Sequence, residues 1–184
     1  MIKIEEPALV LNDIRVPGHI HVSRSILVRP DDSRENLLGA IATVAAGLPY
    51  GRLKSLVLNS HGLPGYLIMG QGFWRPHVGL FDMLEGCVNN IFVTACEIAA
   101  RGIGPHDHVA ADFKGDGEPG DGYMFCRELA QRSKANVVAS ENDQVAPNQK
   151  IPFGYLDSWE GTVRCFRPNG EIAWARTYDL KSAD

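Results

Sequence analysis

The chain has 184 residues, 45% hydrophobic and 22% charged, proportions that exclude disordered, collagen-like and coiled-coil classes and leave enough apolar material for one buried core. Eighteen Lys+Arg against 22 Asp+Glu give a net charge of −4 with no long basic run, so the electrostatic footprint of a nucleic-acid binder is missing. No apolar stretch approaches the ~20 residues of a bilayer span, and the opening MIKIEEPALVLND lacks the basic-then-apolar layout of an export signal; the expectation is one cytoplasmic domain over residues 1–184, partnered by neither nucleic acid nor membrane.

In chain order, residues 24–28 (RSILV) make a short apolar run ended by Arg29-Pro30-Asp31-Asp32, which predicts a strand and a turn. The Ala- and Leu-rich segment 34–46 (RENLLGAIATVAA) predicts a helix, opened near Ser33 and Asn36 and stopped by Gly47 and Pro49. Residues 53–58 (LKSLVL) read as a strand bounded by Asn59-Ser60-His61-Gly62. Segment 63–75, with three glycines among apolar and aromatic side chains, suits a hairpin, and a helix is expected over 77–87. Residues 91–95 (IFVTA) have the look of a buried parallel strand running into Cys96. A Gly- and Asp-rich stretch precedes a helix near 122–134 and a strand over 136–139.

This alternation implies right-handed crossovers and an α/β fold: a three-layer α/β/α sandwich around a mostly parallel sheet covered on both faces. The tail differs, because 162–166 and 171–175 flank Arg167-Pro168-Asn169-Gly170, and Asn-Gly is a strong hairpin signal; an antiparallel pair is expected at the sheet edge or on one face. No repeat or linker marks a domain boundary.

In open α/β sheets, reactive groups gather at the carboxyl ends of the strands. His61 follows LKSLVL and Cys96 follows IFVTA. If those strands are parallel neighbours, ~4.8 Å apart, imidazole and thiol share one edge. An imidazolium or a helix N-terminus would lower the thiol from its ordinary pKa of ~8.5 and supply thiolate. His61 would also protonate a leaving amine, and the N–H groups of Gly62 and Cys96 would form an oxyanion hole worth ~3 kcal/mol per donor. The competing reading is plain packing, since cysteine is among the most buried residue types.

Ser60-His61-Gly62 after one apolar strand and Ala95-Cys96 after the next resemble the paired motifs of the caspase-like (clan CD) cysteine peptidases, which include caspases, legumain, gingipains, clostripain and separase. The resemblance implies a Cys-His dyad at the ends of neighbouring parallel strands, with His61 as acid/base, Cys96 as nucleophile and Gly62 as oxyanion donor, in a helix-covered sheet. The motifs occupy residues 53–97 and the element order extends the likeness to about 140. True caspases carry Gln before the Ala-Cys pair and Arg-Gly after it; here Thr94 precedes and Glu97-Ile98 follow, so a preference for aspartate is not implied.

Substrate recognition is assigned to the carboxylates Glu141 and Asp143, after the strand NVVA, where a carboxylate would pair with a basic P1 side chain, and to Asp157, which with Trp159 would face the cleft; a solvated loop is the alternative. Met69, Phe73 and Trp74 either close the hairpin on the core or form an apolar lip. The literal GxGxxG at Gly115, Gly117 and Gly120 is discounted as a dinucleotide site, because Asp116 and Glu118 would repel a pyrophosphate and Pro119 lacks an N–H. That loop reads as mobile surface, with cleft cover, a maturation cut or calcium held by Asp112, Asp116 and Asp121 as alternatives. His19/His21 and His106/His108 lack a third metal ligand, and Cys87, Cys126 and Cys165 read as packing residues. The expectation is a cysteine endopeptidase without cofactor or metal, acting on protein or peptide, of open oligomeric state. The alternatives are a catalytically inactive caspase-like domain that binds protein and another Cys-dependent enzyme on a flavodoxin-like sheet.

Overall fold

The computed structural model describes residues 1–101, 121–145 and 150–180. The first part of the chain gives β1 (Ile2–Lys3), β2 (Ala8–Asp13), β3 (Ser25–Val28), α1 (Arg34–Ala46) and β4 (Leu53–Asn59). Three short strands follow, β5 (His61–Leu63), β6 (Tyr66–Ile68) and β7 (Phe73–Trp74), then a 3₁₀ segment (Arg75–Leu84) and β8 (Val88–Val93). The remainder comprises α2 (Gly122–Ser133), β9 (Asn136–Ser140), β10 (Tyr155–Leu156), β11 (Gly161–Phe166) and β12 (Ile172–Tyr178).

Seven strands form a mixed sheet in the order β12-β11-β9-β8-β4-β2-β3. The five from β3 to β9 are parallel, while β11 pairs antiparallel with both β9 and β12. β2, which lies between β4 and the edge strand β3, has no counterpart in the expected elements, although ALVL closed by Asn12-Asp13 carries the same apolar-to-polar signature as β4.

Side-chain alternation sorts this sheet's residues onto two faces. Leu9, Leu11, Leu56, Leu58, Ile91, Val93, Val137 and Ala139 join the larger cluster, which also holds Leu38 and Ile41 of α1, Phe81 of the 3₁₀ segment and Phe125 and Leu129 of α2. Burial of each Val, Leu, Ile or Phe side chain among them contributes roughly 1.5–3 kcal/mol. Because α1, the 3₁₀ segment and α2 all feed this one cluster, they cover the same face. The opposite face is covered by Ile4, Ile20, Ile151, Leu156 and Trp159, which pack on Val10, Val57, Val138 and Val163. The helical layer expected there is not found among the described residues; coil segments and the β1–β10 ribbon occupy the place.

Local signals explain the elements that match. α1 has the expected bounds, and its N-cap Ser33 accepts a hydrogen bond from the Asn36 N–H. The helix expected over 77–87 is instead 3₁₀: Gly79 weakens an α-helix, and the buried residues Val78, Phe81 and Leu84 recur every three residues, the spacing that three residues per turn places on one face.

Candidate functional site

β4 and β8 are parallel neighbours with Leu58 opposite Val93, so His61 and Cys96 each lie three residues beyond one matched pair. Both line a cleft of about 300 Å³, together with residues from the β2–β3 connection, the segment after β9 and the approach to β11. Its walls are largely apolar, and Val16, Ile20, Val145, Ile151 and Trp159 line it alongside His61 and Cys96.

The cleft floor is a polar ladder running from β2 and β4 to Thr94, just past the end of β8. Asn59 Nδ2 donates to Asn12 Oδ1 (2.8 Å) and to the Gly18 carbonyl (2.8 Å), while Thr94 Oγ1 lies 3.1 Å from Asn59 Oδ1. Asn12 grips the β2–β3 connection twice: its Nδ2 donates to the Ile20 carbonyl (2.9 Å) and its Oδ1 accepts from the Ile20 N–H (3.0 Å). The strand ends are therefore polar because they anchor the wall of the cleft.

His61 is exposed, and its Nε2 lies 3.1 Å from the Arg15 carbonyl oxygen. A carbonyl only accepts, so the ring proton sits on Nε2 and Nδ1 carries the lone pair in the neutral ring. Cys96 is half-buried beneath the segment after β9: the Gln144 N–H donates to Sγ (3.4 Å), and Sγ in turn lies 3.7 Å from the Gln144 carbonyl. Glu97, the next residue, has φ 49°, a left-handed conformation uncommon for a residue with a side chain, and its N–H donates to the Asn142 carbonyl (3.1 Å). Gly62 touches the Cys96 turn directly, since a Cβ there would lie 2.8 Å from both Ala95 Cβ and the Cys96 carbonyl oxygen.

The thiol is not activated in the way its spacing suggested. Burial pushes Cys96 above its ordinary value, the Gln144 N–H works in the opposite direction, and the nearby carboxylates of Asp143 and Glu97 add to the rise. Among the described residues around Sγ, the charges acting on the thiol are carboxylates, which favour its protonated form.

The carboxylates assigned to substrate are separated. Asp157 lines the cleft, with its Oδ1 accepting from the Ser158 N–H (2.8 Å). Asp143 is exposed and adjoins Cys96 electrostatically. Glu141 is not among the residues lining the cleft, because Arg164 on β11 holds it through two contacts of 2.6 and 3.2 Å. Gln144 was not singled out in the sequence, although it bridges the thiol to Ser140 Oγ (2.9 Å) and the Glu160 carbonyl (3.0 Å). A lone glutamine in a loop carries no sequence signal of that role.

Of the remaining candidates, Met69 and Phe73 are buried in the main core and Trp74 packs edge-on to Tyr66. The four cysteines are free thiols, with Cys126 and Cys165 buried. Among the described residues no three metal-ligating side chains cluster and no helix is long and apolar enough to cross a membrane. The GxGxxG glycines, Asp112, Asp116, His106 and His108 lie outside the described residues. Comparison with protein-family models, curated proteins and solved structures found no match.

Proposed function

We propose that the protein is a cysteine endopeptidase of the caspase-like type, with Cys96 as nucleophile and His61 as general base and acid. The observation that carries this reading is that both side chains line one cleft at the ends of adjacent parallel strands. With its proton on Nε2, His61 offers Nδ1 to take the Cys96 proton as sulfur attacks the peptide carbonyl carbon. The oxyanion is received by the N–H groups of Gly62 and Cys96. Collapse to a thioester breaks the C–N bond, and His61 returns the proton to the leaving amine. Water then attacks the thioester, with His61 accepting its proton, and releases the carboxylate product and the thiol.

The raised thiol matters to this sequence of steps. A resting thiolate is not required, because proton transfer to His61 accompanies attack. In a scan of peptidyl-coumarin amides, wild type releases fluorophore while Cys96→Ala and His61→Ala each lose at least ~100-fold. Equal hydrolysis by wild type and Cys96→Ala refutes the nucleophile assignment.

The second reading, a catalytically inactive caspase-like domain that binds a protein segment in the same cleft, is favoured by one observation: the Asp143 and Glu97 carboxylates oppose thiolate formation. Its signature is peptide binding by wild type and Cys96→Ala alike, with hydrolysis by neither.

A further inference from the structure

The end of β2 holds a charged cluster that the cleft chemistry leaves unexplained. Asp13 is fully buried, and its carboxylate receives four bonds. Oδ1 accepts from the backbone N–H of Arg15 (3.0 Å) and from Arg15 Nε (2.7 Å), while Oδ2 accepts from Arg15 Nη2 (2.6 Å) and the Gly70 N–H (3.1 Å). The same Nη2 donates onward to the carbonyls of Gly70 (3.1 Å) and Ile68 (3.3 Å). Ile68 is the strand partner of His61 in the β5–β6 pair. The carbonyl of Arg15 is itself the acceptor for His61 Nε2. One residue thus grips the imidazole with its backbone and the strand beside that imidazole with its side chain.

With Asp13 buried and Arg15 only partly so, this ion pair adds little net stability once desolvation is counted, so what it supplies here is geometry. The planar guanidinium suits this work, because its fork reaches one carboxylate and two carbonyls simultaneously. An acceptor held against Nε2 decides which ring nitrogen carries the proton.

We propose that the Asp13–Arg15 pair is a positioning device for His61, fixing the carbonyl that keeps the ring proton on Nε2 and leaves the Nδ1 lone pair for the cleft. The proposal rests on the reading of His61 as the base, and it makes Asp13 and Arg15 positioning residues that do not touch substrate.

The test is ring ¹⁵N NMR on histidine-labelled full-length protein, ~2 pH units above the ordinary imidazole value, with the His61 signals identified by their loss in His61→Gln. Wild type shows the Nε2–H tautomer. Arg15→Lys keeps the charge opposite Asp13 without the fork, and its His61 nitrogens move toward the averaged shifts of two exchanging tautomers; Arg15→Ala goes further. If Arg15→Ala does not fold, Arg15→Lys provides the readout alone. Unchanged His61 shifts in a folded Arg15 variant overturn the proposal. Alkylation of Cys96 by iodoacetamide, measured on the same samples, separates the two ideas. Arg15→Lys slows it at neutral pH by about tenfold if His61 serves as the base. Rates that ignore His61→Gln as well as Arg15→Lys sink the dyad reading, and tautomer shifts that nevertheless respond to Arg15 leave the clamp intact.

Discussion

Replacing Gly62 with alanine probes the point where the His61 strand meets the Cys96 turn. The added Cβ would lie 2.8 Å from Ala95 Cβ and from the Cys96 carbonyl oxygen, whereas ordinary contact begins at 3.4 Å, so about 0.6 Å of separation must be created. Both opposing atoms are Cβ or backbone atoms of one short turn, and neither can swing aside as the tip of a flexible side chain would. Overpacking of this kind costs roughly 1–3 kcal/mol. Loss of glycine's freedom in the unfolded chain offsets roughly 0.4–1 kcal/mol, leaving a net loss of about 1.5 kcal/mol and a fall in Tm of about 3–6 °C. Gly79 is the control, because a Cβ there meets nothing within 4 Å; Gly79→Ala keeps or slightly raises Tm. Calorimetric unfolding of both variants, paired with the rate of Cys96 alkylation, is the assay. The Gly62 variant should lose stability and change its Cys96 rate together. A Tm equal to that of Gly79→Ala, with wild-type alkylation, refutes the close-packing argument.

Two further outcomes follow from the same geometry. Asp143→Asn removes a carboxylate that holds the Cys96 thiol up, so the pH midpoint of Cys96 alkylation moves down and the rate at neutral pH rises, by less than about fivefold for so exposed a charge; an upward shift would contradict the assignment. Asn59→Ala deprives the Gly18 carbonyl of its Asn59 bond and cuts the ladder beneath the cleft, costing about 2 kcal/mol and speeding amide exchange at Ile20 by tenfold or more, and unchanged exchange there would show that the ladder does not hold the β2–β3 connection.

Much of this arrangement was legible in local pattern. Ser33 with Asn36, the helix over 34–46, the strand runs before Asn59 and Cys96 and the turn at Asn169-Gly170 are short-range signals, each decided by backbone preference or by the period of apolar residues. β2 gives only a weak local signal because its ALVL run is brief and sits behind Glu5-Glu6-Pro7, and the 3₁₀ segment reads as α because its apolar residues fit either period until their burial is known. The surroundings of the thiol are illegible in the sequence for a different reason. A pKa depends first on how deeply a group is buried and then on the charges around it; burial raises Cys96 most, and Asp143, which adds to the rise, comes from 47 positions away in the chain.

The sequence by itself therefore determined the α/β character, the strand-ending His61 and Cys96, and the glycine after the histidine, since each of these is written in residues that are close neighbours along the chain. Only the tertiary structure decided that those two side chains share a cleft, that Arg164 takes Glu141 away from it, that Gln144 covers the thiol, and that Arg15 meets the histidine ring. The physical reason is that strand order in the sheet, and the loops carried with it, is set by long-range burial of alternating faces, which no local window contains.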